Sequence, residues 1–434
     1  MNNFKPIKRA AFEGNVKYYG SEEEVLVPTD YCEHDELRGV WFSTVGNIDI
    51  PKIESVEQYK EYLLGVIAKV KEYHMNTVVF QVRPTNDALY KTDNNPWSAV
   101  ITGVQGKDPG FDVFGFFVEE AKKAGISVHA WINPYRISGA KLDDLNITKD
   151  EFLDTLASNN FARLHKDLVI MGKESKLILD PARIEVMEFV SDTVLEIARN
   201  YDIKAVHIDD YFYPYDPIRD PDEYQKYKDS GFSNLSDFRR NNVDRMIEMI
   251  HNKLNTLDKK VEFGISPFGI FRTNTKFSDG KTGEEFWDKG SNNHASCLSC
   301  YKGLYADIYK WMKNGWIDYV TPQNYFDFDN TKINSKGETI CQVKYADLAV
   351  WWSQICKETN TKLYMGQAIY RYGTDANWKD PEEIPNQLKF NQTLKNVMGT
   401  MFFTYSDFVE DKNETLVKGR ELLKQLWTKD VKEI

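Results

Sequence analysis

Two adjacent carboxylates, Asp209 and Asp210, interrupt the stretch AVHIDDYFYP at residues 205–214. Ala205, Val206 and Ile208 suit a buried strand, whereas burying the charges that follow them is expensive. Such a pair either caps the next loop, YFYPYDP, or does chemistry. The chemistry it could do is glycoside hydrolysis. One carboxyl group protonates the leaving oxygen, and another acts as nucleophile or base, at a separation of roughly 5–5.5 Å for retention and roughly 6.5–9.5 Å for inversion. Adjacent aspartates also suit a substrate-assisted scheme, in which one donates the proton and the other orients the substrate's own 2-acetamido group.

Period-two alternation places His207 and Asp209 on one face of the strand and Val206 and Ile208 on the other, with Asp210 where the strand ends. Polar residues recur at the ends of other apolar runs. Ser43 and Thr44 end the first, and Gln81 and Arg83 the second, with Asp87 beyond. Asn133, Tyr135 and Arg136 end the third, Ser266 the fifth, and Gln323, Asn324 and Tyr325 the sixth, followed by Asp327. Gln367 and Tyr370 end the seventh, and Tyr405 and Asp407 the eighth. Arg83, Asn133, Tyr135, His207, Gln323 and Tyr325 are expected to bind sugar hydroxyls or an acetamido group, with Arg136 beside them. Tyr211 and Trp131 could form stacking walls, although Trp131 suits a core at least as well. If Asp209 pairs with a distant acid, Asp87, Asp327 and Asp407 are the candidates. Glu262 begins its strand and so lies at the wrong end. His129 and His207 could join Asp209 around a metal, but a barrel metallohydrolase brings more histidines than the seven present, and no metal is assigned.

The elements that must hold these groups alternate regularly. Strand-like runs at 38–44, 76–84, 127–135, 205–212, 262–269, 317–325, 362–370 and 399–408 are each followed by a helical pattern. Those patterns fall near 56–73, 112–124, 183–200, 236–256, 303–313, 345–357, 384–396 and 414–427. Continuous apolar runs are expected of parallel strands covered on both faces. Eight strand–helix units predict an α/β fold, a closed (β/α)₈ TIM barrel over residues 37–430, with 1–36 as an N-terminal extension packed on it or partly disordered. A doubly wound sheet would want a glycine-rich turn after its first strand, and VGNIDIPK lacks one. The connections after strands are long (84–110, 136–180, 213–234, 270–300) and the returns short. That asymmetry marks the end of a barrel that carries active sites.

Composition narrows the partners. The 434 residues are 41% hydrophobic, 28% charged and 14% aromatic, ordinary for a globular chain apart from the aromatic excess. A net charge of −11 argues against a nucleic-acid groove. There is no transmembrane run. The N-terminus shows no apolar leader core, so the chain is read as cytoplasmic, or as an envelope or secreted protein if a leader has been trimmed. Five cysteines do not suggest a disulfide framework. Cys297 and Cys300, with His294 nearby, have metal-like spacing but no fourth ligand. A glycan is the expected partner, and oligomeric state is not legible.

ELRGVWFST, VVFQVRPTNDALY, GISVHAWINPYRI, AVHIDDYFYP, FGISPFGIFR, LYADIYKWMKNGWIDYVTPQNY and LYMGQAIY resemble the glycosyl hydrolase-like 10 family, from about Glu36 to Phe408. The resemblance implies a (β/α)₈ glycosidase that needs no cofactor. It also points to the denuded, peptide-free glycan strands of bacterial peptidoglycan as substrate, because family members in the cell envelope include hydrolases of them. At greater distance the chain is similar to α-amylase-like barrels, in which an aspartate ending strand four is the nucleophile and a basic residue stands two positions earlier. His207 and Asp209 occupy that pattern, while no glutamate ends strand five.

Overall fold

A computed structural model describes residues 3–53, 55–215, 218 and 220–433. Eight parallel strands close into one barrel: β1 (Leu37–Phe42), β2 (Thr77–Arg83), β3 (Ser127–Ile132), β4 (Ala205–Ile208), β5 (Glu262–Ile265), β6 (Tyr319–Val320), β7 (Lys362–Gln367) and β8 (Val397–Phe402). The helices between them are α1 (Val56–Glu72), α2 (Val113–Lys123), α3 (Ile184–Asn200), α4 (Leu235–Leu254), α5 (Ile308–Lys313), α6 (Tyr345–Thr359), α7 (Glu383–Asn391) and α8 (Glu414–Leu426). This is the (β/α)₈ TIM barrel expected from the alternation.

Period-two patterning builds two separate cores. Val78, Phe80, Val206, Ile208, Phe263 and Phe402 pack outward against the helices, which answer with one apolar face each, such as Tyr59, Leu63, Val66, Ile67 and Val70 of α1. Leu37, Trp41, Val79, Trp131, Ala205, Tyr319, Tyr364 and Met401 fill the barrel interior. Gly264 makes room for the largest of these intrusions. A Cβ placed there would stand 1.8 Å from the Tyr319 ring.

Two strands are shorter than their apolar runs, and each has a local cause. Strand β4 stops at Ile208, because Asp209 then accepts the Tyr211 N–H in a tight turn. Strand β6 keeps two ladder residues because Pro322 has no N–H to donate; bridges resume at Gln323, to Phe268 and Gly366. Helix α5 begins at Ile308, where Asp307 caps it, five residues later than the pattern suggested.

Asp216, Pro217 and Arg219, within the 213–234 loop, lie outside the described residues. The segment ahead of the barrel pairs Phe4–Pro6 with Leu26–Pro28 and buries Val16, Val25 and Val27. Arg9 binds Asp329 at 2.8 Å, and the Tyr19 N–H donates to Asp347. One cysteine pair bonds, correcting the expectation that the odd, sparse set has no framework role. Cys297, after β5, is joined to Cys341, on a hairpin after β6, with Cα atoms 5.4 Å apart. A separation of 44 residues hides such a pair from sequence. Among the described residues no helix is long and apolar enough to cross a membrane.

Candidate active site

The carboxylate pair sits where β4 ends, buried to 6% exposure at Asp209 and 2% at Asp210. Its two members live in different electrostatic surroundings. A directed chain of amides ends on Asp209. The backbone N–H groups of Thr44 and Val45 donate to Gln81 Oε1, both at 2.8 Å. Gln81 Nε2 donates to Asn133 Oδ1 at 2.6 Å, and Asn133 Nδ2 donates to Asp209 Oδ2 at 2.7 Å. Each amide is polarised by the one behind it, so the chain favours a charged Asp209. The Tyr211 N–H reaches the other oxygen at 3.0 Å. Burial still raises the Asp209 carboxyl above its ordinary range, opposed by the Arg136 charge and these donors.

Asp210 has fewer donors and a charged neighbour. The Tyr215 hydroxyl donates to its Oδ2, and the Gln323 amide reaches the same carboxylate. Burial and the adjacent Asp209 charge nevertheless push Asp210 up to about 6. The pair therefore shares its protons unequally, with Asp209 ionising first and Asp210 retaining a proton to higher pH.

Below the pair, His207 occupies the barrel axis, as the alternation required. Trp41 is a donor only, and its indole N–H points at His207 Nε2 at 3.4 Å; the Ser266 hydroxyl meets the same nitrogen at 2.8 Å. Nε2 is then an acceptor, and Nδ1 carries the hydrogen and donates to the Tyr319 hydroxyl oxygen at 2.9 Å. Tyr319 in turn donates to His129 Nδ1 at 2.8 Å, and His129 Nε2 faces Glu433 at 3.7 Å. Burial and then His129 hold His207 well below its ordinary pKa. Both His207 nitrogens are engaged by protein groups, and His129 gives its Nδ1 to Tyr319. Among the described residues no group of three or more His, Cys, Asp or Glu side chains is placed to hold a metal.

An aromatic rim surrounds the mouth. Tyr211, Tyr215 and Tyr370 are about two-fifths exposed. Tyr325 packs against Tyr370 and Phe403, and Tyr215 against Phe268. Arg136 lies 4.4 Å over the Tyr211 ring. The structure thus brings Asp209, Asp210, Asn133, Arg136, His207, Tyr211, Gln323 and Tyr325 together.

Five expected residues stand elsewhere. Arg83 is fully buried and donates to Asn133 O, Asn86 Oδ1 and Asn95 Oδ1, bracing the Asn133 turn rather than facing sugar. The cause is a bulge. Gln81 and Arg83 pair with consecutive residues of β3, Trp131 and Ile132, which turns Arg83 off the axis. Tyr135 is buried in the strand–helix layer. Asp87 is tied to Thr85 and Gln105, Asp327 to the Asp329 N–H and Asn377, and Asp407 to Lys412 and the Thr404 N–H. Each of these three carboxylates is engaged by its own partners, and none of those partners is Asp209 or Asp210. Trp131 is a core residue with its indole edge beside Asp209. Sequence reasoning passed over Tyr215, although it stood in the aromatic run after the pair. Gln81 was counted only as one strand-end polar group among many.

The family described as glycosyl hydrolase-like 10 matches residues 36–382. The chain is 37% identical to the glycosyl hydrolase YngK of Bacillus subtilis over 391 residues, 88% of this chain and 70% of that protein. It is 30% identical to the glycosyl hydrolase DigH of Escherichia coli K12 over 390 residues, 85% of this chain and 82% of that one. Among solved structures, the PgaB (BpsB) glycoside hydrolase domain of Bordetella bronchiseptica superposes with a TM-score of 0.50 at 11% identity, covering 91% of this chain and 99% of that one. The catalytic domain of a Paenibacillus polymyxa beta-amylase gives 0.52 at 10% identity, covering 91% and 100%. These two likenesses speak to the fold.

Proposed function

The chain belongs to the glycosyl hydrolase-like 10 family, and from that premise we propose that it is a glycoside hydrolase acting on an N-acetylated glycan, with peptide-free peptidoglycan strands as the first candidate substrate. The observation that carries the reading is the unequal pair at the end of β4. Asp210, held protonated to about pH 6, is suited to protonate the leaving oxygen. Asp209, steered by Asn133 and Tyr211, is suited to hold a developing positive charge or orient an acetamido group. Strand β5 ends in Ser266, already engaged with His207, and offers no second carboxylate. That favours the substrate's own acetamido oxygen as nucleophile. The aromatic rim supplies stacking faces for sugar rings. The wall glycan is placed first because the motifs resemble a family that includes hydrolases of it. The Cys297–Cys341 bond supports work in an oxidising compartment, the envelope or outside the cell.

Mass spectrometry of products from peptide-free peptidoglycan tests this with wild type, Asp209→Asn and Asp210→Asn. Cleavage by wild type should fall by about 10²–10⁴ in either variant, with the fold retained by circular dichroism. Asp210→Asn should recover on a substrate with an activated aryl leaving group, which needs no proton. Undiminished cleavage in Asp209→Asn would sink the assignment. Because β5 lacks a carboxylate, a second reading is a barrel that binds glycan without cleaving it; affinity without turnover by wild type would put that reading first.

A further inference from the structure

Gln81 is fully buried on β2, and its side-chain bonds run toward the carboxylate pair without reaching it. Its carbonyl end is fixed by backbone. The N–H groups of Thr44 and Val45 both donate to Gln81 Oε1 at 2.8 Å, and the Ser43 hydroxyl adds a third donor at 3.3 Å. Backbone donors cannot be turned round, so a reversed Gln81 would set its own NH₂ against two N–H groups. The loop that supplies them is itself pinned. Buried Asp49 accepts the Ser43 N–H at 2.6 Å and the Ser406 N–H at 2.8 Å, and the Thr44 hydroxyl donates to Gln81 O at 2.8 Å.

That orientation is handed on to the next amide. With Nε2 facing β3, Gln81 donates to Asn133 Oδ1 at 2.6 Å, and Arg136 Nη1 adds a longer contact to the same oxygen at 3.4 Å. Arg83 holds the main chain there, donating to Asn133 O at 2.7 Å. Asn133 is thereby left with its NH₂ toward the pair, and Nδ2 meets Asp209 Oδ2 at 2.7 Å. A reversed Asn133 would present Oδ1 to that carboxylate and put two acceptors in contact. Whether Asp209 meets a donor or an acceptor is therefore decided one residue further back, where Gln81 takes its direction from the backbone after β1.

Resting on the glycosidase reading above, we infer that Gln81 is a positioning residue for Asp209, acting through Asn133 by fixing which end of that amide the carboxylate meets. An amide that accepts a hydrogen bond at its oxygen is a stronger donor at its nitrogen, so the fixed direction also strengthens the bond to the charged form of Asp209. Removing Gln81 leaves Asn133 in place but free to turn, and weakens its donor.

The test reads the Asp209 proton directly, by NMR titration of the aspartate carboxyl carbons with Asp209→Asn to assign the signal. Gln81→Met keeps the length of the side chain and loses both amide atoms. It should move the Asp209 titration upward by about 1 in pH, because the ionised form loses an oriented donor. Asn133→Ala should move it at least as far. The double variant should move it no further than Asn133→Ala alone, the signature of one residue acting through the other. The acidic limb of kcat/KM on peptide-free glycan should follow the titration, costing up to about tenfold on the acid side. In wild type, where no variant has to fold, the Gln81 side-chain amide signals should follow the titration of Asp209. An Asp209 titration unmoved in Gln81→Met, shifts that add in the double variant, or wild-type Gln81 signals silent through the Asp209 titration overturn the proposal. So does an acidic limb that stays in place while the titration moves. A titration that moves as expected in a protein whose wild type cleaves no glycan would instead defeat the glycosidase reading and leave Gln81 positioning Asp209.

Discussion

At the scale of single residues, the site works by differential treatment of two identical side chains. Asp209 and Asp210 differ by one step along the chain, yet one ends an amide relay and the other meets a phenol, an amide and its neighbour's charge. The sign of the pH dependence follows. On the proposed assignment Asp210 acts in its protonated form, so kcat/KM should fall as pH rises through about 6, and fall again in acid as Asp209 takes up its proton. The Tyr215 hydroxyl favours the ionised form of Asp210. Tyr215→Phe removes that donor and should move the alkaline limb of the profile upward by about 1 in pH. A limb that stays in place would mean that Asp210 is not the group being titrated.

At the scale of elements, the strands set the axis and the loops after them set the cleft. Gly264 in β5 admits the Tyr319 ring from β6, and Tyr319 then bridges His129 of β3 to His207 of β4. The long loops need their own anchoring. The segment after β5 is held by Cys297–Cys341 to the hairpin Thr331–Ile333 with Thr339–Gln342, which follows β6. Closing a loop of this span restricts the unfolded chain more than the folded one. Cys341→Ser, or reduction of the wild type, should lower the free energy of unfolding by about 2–4 kcal/mol in chemical denaturation. Reduction should then change the variant no further. A wild type indifferent to reductant would show that the bridge carries no stability.

At the scale of the molecule, chain from outside the barrel packs against both of its ends. The N-terminal segment straps the loop side through Arg9–Asp329 and Tyr19–Asp347. The C-terminal tail crosses the other end, where Arg38 and Asn76 bind the carbonyls of Lys429 and Val431, and Glu433 enters below His129. Burial alone would raise the Glu433 carboxyl, but the His129 imidazole, with Ser127 and the Lys204 charge, outweighs it and holds the group down to about 2. A carboxyl depressed in the folded state contributes stability above its unfolded value, and that contribution is lost as pH falls toward the folded one. Wild type should therefore lose up to roughly 2–3 kcal/mol of stability from this group between about pH 5 and 2, and Glu433→Gln should lose that much less. Parallel stability–pH curves for the two proteins would argue that the tail is not seated under His129.

Much of this was legible in the sequence because its cause is local. Strand and helix periods reflect the pleat and the turn of the backbone, so all eight units could be read. The alternation through His207 and Asp209 likewise fixed which face meets the axis. The resemblance of the motifs already pointed to the family. What the sequence could not decide depends on groups far apart in the chain. Arg83 shares the parity of Gln81, and only the bulge opposite Trp131 and Ile132 turns it away from the site. Asp87, Asp327 and Asp407 follow strand ends like the Asp209–Asp210 pair, and only their Gln105, Asn377 and Lys412 partners show them already engaged. The polarity of the Gln81–Asn133–Asp209 relay joins three strands, and the Cys297–Cys341 bond joins two loops. Periodicity speaks for a residue's own strand; charge, proton sharing and cross-links are properties of neighbours that only closing the barrel brings together.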